Sequence, residues 1–351
     1  MTGIGDDCAV LRVPAGHELL VTTDFTLENV HFRREWHPPK VVGWRCLTRG
    51  LSDIAAMGGQ PRAAFLSLAL ERNTPQKWVD QFLAGLLEAA DEFRVPLAGG
   101  DTAQSTSGIA ADIVLVGSVP KGKAILRSGA RPGDLIYVTG SLGGSAAALE
   151  RLAAGAKAPA NLSELVARLK SCPPESGSRS FTGGHDFSRA TNPAKLTPAS
   201  AAEVREFASK SDIRAADYPR HFHPTARVQI GQWLGRRGLA SAMIDISDGL
   251  STDLHHICEE SGVGAVIDAL AIPQARVGRP TEQVGLDLAL HGGEDYELLF
   301  TSAKRVPLKI AGVPVTQIGQ ITRTRGMLLV EENGRRAKLV AQGWEHFKDS
   351  A

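Results

Sequence analysis

Aromatic side chains are scarce, at 5% of 351 residues. That excludes a surface built to stack unpaired bases, which needs a series of exposed rings. Charge of one sign is missing too: 39 Lys and Arg stand against 38 Asp and Glu, for a net charge of +1. A duplex binder needs a basic face, so no nucleic-acid partner is expected. The four cysteines (Cys8, Cys46, Cys172 and Cys258) lie far apart and form no CxxC pair. This excludes a zinc ribbon and a disulfide scaffold and leads to the expectation of a reduced, cytoplasmic chain. No run approaches the ~20 apolar residues of a membrane helix, so no membrane partner is expected. The start, MTGIGDDCAV, has neither a basic segment nor a long apolar one, and no signal peptide is expected.

What is present suits a packed protein. Hydrophobic residues make up 43% of the chain, which excludes wholesale disorder, and the length predicts two domains or one large one. Residues 17–24 predict a strand, and 41–57 a helix stopped by Gly58-Gly59. Residues 63–70 predict a strand. Residues 76–93 predict a helix, with Val79, Phe82, Leu83, Leu86, Leu87 and Ala90 along one face. A further strand is predicted at 109–119. This mixture is that of an α+β layer domain. After a turn-rich joint at 127–134, strands are predicted at 135–138, 241–246, 264–268, 296–301, 313–318 and 327–331. Helices are predicted at 145–154, 224–237 and 250–261. Between them the chain turns rich in Ser, Ala, Pro and Gly, and about 171–200 reads as a surface excursion or disordered loop.

The aspartates carry the chemistry. Asp7 follows Gly-Ile-Gly-Asp, Asp24 closes LLVTTD, and Asp53 lies on the helix in LSDIAAMGG. Asp101 sits in AGGDT, and Asp245 and Asp248 stand in IDISDGL at a strand-to-helix junction. Taken singly, each is most simply a cap or a turn residue. As a set they are expected at the ends of rigid elements facing a common edge. Carboxylates gathered so would repel one another unless cations neutralise them. Hard oxygen ligands without Cys or clustered His imply Mg²⁺, whose usual work is phosphoryl transfer. Two nucleotide-like stretches are weak beside this. Residues 117–124 resemble a P-loop but lack its hydroxyl, and Pro120 removes a donor. Residues 138–145 form a Gly-rich strand-to-helix turn that either binds phosphate or simply packs tightly. His255 and His256 read as structural.

GIGDDCAV, VTTDFTLENVHF, LSDIAAMGG, AGGDT, LRSGARPGDLIYVTG, IDISDGLSTDL and GGEDYELLF, in this order and spacing, resemble the thiamine-monophosphate kinase family. That family belongs to the superfamily of aminoimidazole ribonucleotide synthetase and selenophosphate synthetase. The resemblance covers the chain apart from about 156–217. It implies a two-domain α+β fold. Residues 1–128 would be an N-terminal ATP- and Mg²⁺-binding and dimerisation domain. Residues 129–351 would be a C-terminal α/β domain carrying a flexible insertion at 156–217. It implies a homodimer that transfers the ATP γ-phosphoryl group to thiamine monophosphate, giving thiamine diphosphate. Carried over residue by residue, it assigns Mg²⁺ to Asp7, Thr22, Thr23, Asp24, Asp53, Asp101, Asp245 and Asp248. It assigns ATP to Gly100, Asp101, Arg127 and Ser247, and thiamine monophosphate to His31, Glu294 and Trp344. No acid–base residue is assigned. The chain departs from the family pattern at Gly50, where Asn is usual, and at Phe93, where an aromatic hydroxyl is common. Another ATP-dependent member of the superfamily and a non-catalytic nucleotide-binding relative stand as alternatives.

Overall fold

The computed structural model describes residues 4, 8–155 and 214–344. Asp7 lies outside the described residues, as does the expected insertion except for its last four positions, where Ala215–Asp217 makes a 3₁₀ turn. The first half builds a four-stranded sheet from β1 (His17–Leu27), β2 (Gln60–Glu71), β3 (Leu97–Ser105) and β4 (Ala110–Pro120). Its order is β1-β4-β2-β3, antiparallel except for β2 and β3. A parallel pair needs a long crossover, and α2 (Gln76–Phe93) supplies it. Strand alternation turns Leu20, Thr22, Asp24 and Thr26 of β1 inward. Leu19, Val21 and Phe25 point the other way and are 52%, 66% and 57% exposed.

Two sequence expectations change here. Asp24 does not close its strand: the ladder runs on, with Asp24 opposite Ile113 and Leu27 opposite Ala110. Asp101 lies inside β3, opposite Ser67 of β2, because the glycines of AGGDT are needed for close packing and not for a turn. A Cβ on Gly100 would stand 1.9 Å from the Leu66 carbonyl oxygen.

Helix α1 (Pro39–Ala56) is the centre of the molecule. It starts on Pro39, whose fixed φ suits a first helical position. Fourteen of its 18 residues are buried, as expected of a helix walled in on several sides. Leu47, Leu51 and Ile54 share one core with Leu66 and Leu115 of the first sheet and with Tyr137, Leu298 and Phe300 of the second. Helix α2 comes so close that a Cβ on Gly43 would stand 1.9 Å from the Phe82 carbonyl oxygen.

The second sheet comprises β5 (Leu135–Thr139), β6 (Ala242–Ile246), β7 (Gly264–Asp268), β10 (Glu297–Ser302), β12 (Val313–Thr322), β13 (Gly326–Val330) and β14 (Arg336–Leu339). Its order is β14-β13-β7-β12-β5-β10-β6, with β11 (Lys309–Ile310) paired on β12. A separate pair joins β8 (Arg276–Val277) to β9 (Glu282–Gln283). The helices are α3 (Gly144–Gly155), α4 (Pro219–Phe222), α5 (Val228–Arg237), α6 (Leu250–Ser261) and α7 (Leu286–His291). The helix expected at 224–237 thus starts at Val228. Strands β6 and β10 are buried along their whole length and lie beside α1. Among the described residues no helix is long and apolar enough to cross a membrane.

Candidate active site

Three elements bring acids together. From β1, the Thr22 hydroxyl donates to Asp53 on α1. Asp24, two residues along the same face, lies 3.8 Å from the Arg49 guanidinium. Burial pushes the Asp24 carboxyl up to about 6; Arg49 pulls against this, while Asp53, Asp112 and Asp248 push with it. Asp53 is raised as well, by burial, with Thr22, Arg127 and Arg49 opposing. From β6, Asp245 sits in a wholly buried strand opposite Leu298. Burial pushes it up to about 7, and Asp53 and Asp24 add to the rise. Asp24 is therefore close enough to feel Asp53 and Asp248, and Asp245 to feel Asp53 and Asp24.

The turn between β6 and α6 places Ser247 and Asp248 against two other segments. The Ser247 carbonyl accepts from Glu294 N–H at 2.8 Å, and the Asp248 carbonyl accepts from Trp344 N–H at 3.0 Å. Close approach demands glycine on both sides. A Cβ on Gly293 would stand 2.5 Å from the Ser247 oxygen, and one on Gly343 would stand 2.1 Å from the Asp248 oxygen. Thus Glu294 and Trp344, some fifty residues apart in the chain, flank one turn. Glu294 (φ 63°) and Tyr296 (φ 52°) both adopt left-handed backbone that non-glycine residues avoid. Such strain gathers where surrounding structure imposes a side chain's position.

Both Glu294 oxygens are held. Arg45 NH2 donates to Oε2 at 2.5 Å, and Arg49 NH1 donates to Oε1 at 3.2 Å and to the Tyr296 hydroxyl at 3.1 Å. Burial would raise this carboxyl, but Arg45 and Arg49 hold it below its ordinary value. A buried chain of imidazoles aligns Arg45 in turn. Arg45 NH1 lies 3.2 Å from His221 Nε2, and His37 Nε2 lies 2.9 Å from the same atom. Arginine can only donate, so His221 Nε2 accepts. His37 then donates from Nε2 and takes the Arg33 N–H on Nδ1, while His221 Nδ1–H donates to the Ser145 hydroxyl at 2.9 Å. Burial, followed by the Arg45 charge, pushes His37 down to about 3, and His221 is likewise lowered, so both rings stay neutral.

The remaining expected residues lie less centrally. The Thr23 side chain is on the opposite face from Thr22 and donates to Asp112 at 2.6 Å. His31 follows β1 and accepts the Leu27 N–H on Nδ1 at 3.0 Å, which leaves its proton on Nε2. Arg127 is exposed, within electrostatic reach of Asp53 and Asp245. Asp101 is exposed and accepts the Thr102 N–H at 2.8 Å. Three strand spacings of roughly 4.8 Å separate its strand from β1. Gly100 shares that strand. The Gly-rich turn at 138–145 is filled by the chain itself: Asp295 accepts from Gly143 N–H at 2.6 Å and Ser145 N–H at 3.2 Å, which leaves tight packing as its role. At Gly50 a Cβ would come within 3.1 Å of the Leu115 side chain, so a small residue suits the site.

Sequence reasoning missed Arg45, Arg49, Asp112 and Asp253. Arg45 and Arg49 had a signal, because with Asp53 they form an i, i+4, i+8 charged row on an otherwise apolar helix. Asp253 accepts from Gly249 N–H at 3.1 Å and braces the 248–249 turn. Burial, together with Asp245 and Asp248, raises its carboxyl well above normal.

The donor set fits a hard divalent cation: carboxylates and a threonine hydroxyl, crowded enough that Asp24 and Asp245 resist ionising without one. Among the described residues no group of three His, Cys, Asp or Glu side chains is placed so that it could by itself hold a metal ion. Such an open arrangement suits an ion that keeps waters and binds phosphates.

Residues 5–119 match the family model "AIR synthase related protein, N-terminal domain", and residues 199–345 match the corresponding C-terminal domain. The thiamine-monophosphate kinase of Escherichia coli (strain K12) is 34% identical over 356 residues, covering 98% of this chain and 91% of that protein. A crystal structure of the thiamine-monophosphate kinase from Stenotrophomonas maltophilia K279a is 31% identical with a TM-score of 0.69, covering 96% of this chain and 92% of that one. AaThiL complexed with AMPPCP and TMP is 26% identical with a TM-score of 0.67, covering 98% and 92%.

Proposed function

The chain belongs to the thiamine-monophosphate kinase family, and from that premise we propose that it transfers the γ-phosphoryl group of ATP directly to thiamine monophosphate, giving thiamine diphosphate and ADP. The observation that carries this is the meeting of Asp24, Asp53, Asp245 and Asp248 beside the turn that Glu294 and Trp344 flank. The acceptor phosphate is anionic near neutral pH and needs no base. One of its oxygens forms a bond to the γ-phosphorus as the bond to the β–γ bridging oxygen breaks, and the electron pair leaves with ADP. The protein's task is to hold two anions in line against their repulsion. Asp24, Asp53, Asp245, Asp248 and Thr22, with Asp7, the Thr23 carbonyl and Asp101, would hold Mg²⁺. The bound ions would neutralise phosphate charge.

Arg127, Ser247 and Gly100 would hold ATP, with Arg127 presenting a planar fork to a phosphate. Trp344 offers a face for the cationic thiazolium, Glu294 a fixed negative charge, and His31 an N–H donor from Nε2. The exposed Leu19, Val21 and Phe25 face supports a homodimer built on the first sheet. In it, Gly100 and Asp101, at the far edge from β1, would serve the partner's cleft. Residues 1–128 would then be the ATP-binding and dimerising domain and 129–351 the C-terminal domain, in a cytoplasmic enzyme. Incubation with thiamine monophosphate, ATP and Mg²⁺, followed by mass spectrometry, should show thiamine diphosphate and ADP. Release of AMP, or no new thiamine species, refutes the reading.

A further inference from the structure

Three consecutive amides tie the segment that carries Trp344 to the start of α6. Beyond β14, Gln342 N–H donates to the Ser251 hydroxyl at 3.3 Å, Gly343 N–H donates to the Thr252 hydroxyl at 2.9 Å, and Trp344 N–H donates to the Asp248 carbonyl at 3.0 Å. All three acceptors lie in the first turn of α6 or in the turn that leads into it. Both hydroxyl residues are buried, Ser251 fully and Thr252 to all but 4%. Gly343 comes so close that a Cβ there would stand 2.6 Å from the Thr252 oxygen. Asp253 already braces this helix start by accepting the Gly249 N–H, so both hydroxyls serve another segment. Ser251 reaches a second one as well: its oxygen lies 2.8 Å from Nδ1 of His291, three residues before Glu294.

Gln342 is exposed, and Gly343 and Trp344 are half-buried, so the clamped segment lies at the surface. Such a segment opens locally at far lower cost than a core element does, and the bonds that fasten it set how firmly it stays down. On the function proposed above, on which this inference rests, Trp344 and Glu294 flank the ring end of thiamine monophosphate. A ring that is already fixed binds a ligand better than one that must be ordered on arrival. We propose that Thr252, assisted by Ser251, is a positioning residue for thiamine-monophosphate recognition, its hydroxyl clamping 342–344 to α6 so that Trp344 stands ready for the ring. Both residues are buried and act through the segment they hold.

The test is steady-state kinetics of the full-length protein with Mg²⁺, varying thiamine monophosphate and ATP in turn, for wild type, T252V, T252S and S251A. Valine keeps the shape of threonine without its oxygen, and serine keeps the oxygen without the methyl. T252V should raise the KM for thiamine monophosphate roughly three- to tenfold, the worth of one hydrogen bond. Its kcat and its KM for ATP should stay within about twofold of wild type, since only binding at the ring end is lost. T252S should restore the wild-type KM. S251A, through a longer bond, should raise the same KM by a smaller factor, and it carries the test if T252V fails to fold. An unchanged KM for thiamine monophosphate in T252V and S251A overturns the proposal. An equal rise in both KM values also overturns it, because the effect would then lie in the Asp248 turn. So does a T252S as impaired as T252V, because packing of the methyl would then be the cause. If wild type forms no thiamine diphosphate, the function proposed above fails, and this inference with it.

Discussion

Asp245→Asn should stabilise the metal-free protein above neutral pH while impairing its response to Mg²⁺. The side chain lies in the fully buried strand β6, and burial with Asp53 and Asp24 pushes its carboxyl from 3.8 to about 7. Below 3.8 the folded and unfolded chains both hold the proton. Between 3.8 and about 7 the unfolded chain has released it and the folded chain has not, so stability falls as pH rises through that window. A shift of roughly 3 units at about 1.4 kcal/mol each makes the ionised group a liability of roughly 4 kcal/mol, an upper figure because Asp24 and Asp53 share the repulsion. Asn keeps the shape and loses the charge. Thermal unfolding in EDTA at about pH 5.5 and about pH 8.5 reads the effect, since groups other than Asp245 largely cancel between wild type and variant. The variant should already exceed wild type at the lower pH, by roughly half of the effect, and exceed it by the full effect, several degrees, at the higher. Added Mg²⁺ should raise the wild-type midpoint more at the higher pH and raise the variant's less. A variant less stable than wild type in EDTA at high pH would refute the reasoning. It would mean that Asp245 is held ionised by favourable bonds.

Asp24→Asn should cut turnover by orders of magnitude with an unchanged circular-dichroism spectrum; wild-type turnover would remove Asp24 from the mechanism. Glu294→Ala and Trp344→Ala should raise the KM for thiamine monophosphate more than that for ATP, and equal changes would count against the pocket. Gly43→Ala should lower the denaturation midpoint by the equivalent of ~1–3 kcal/mol or more, because its Cβ would stand 1.9 Å from the Phe82 carbonyl oxygen. An unchanged midpoint would mean that α1 and α2 can part freely.

Much of the site was legible because its motifs are local. IDISDGL predicts a strand, a turn and a helix from seven letters, and β6 and α6 bear this out. LSDIAAMGG places Asp53 on a helix, as found on α1. Other features were hidden by the way strands pair. Thr-Thr-Asp resembles a strand end because polar residues usually mark one, yet the ladder continues to Leu27, since the inward-facing Thr22 and Asp24 find partners in Asp53 and Arg49 of α1. Arg45 and Arg49 passed unnoticed because a charged helix residue is ordinarily solvated, and nothing local says that α1 is enclosed by two sheets.

The sequence by itself determined the element types, the acidic chemistry and the family, because periodicity and short motifs are written within a few consecutive residues. Only the tertiary structure decided which charges meet. Glu294 takes its fixed charge from two arginines on a helix some 250 positions earlier. The acidity of Asp245 depends on Asp53 and on complete burial. Coulomb interactions and desolvation act through space, and that distance is set by packing α1 between both sheets, which no local stretch of chain encodes.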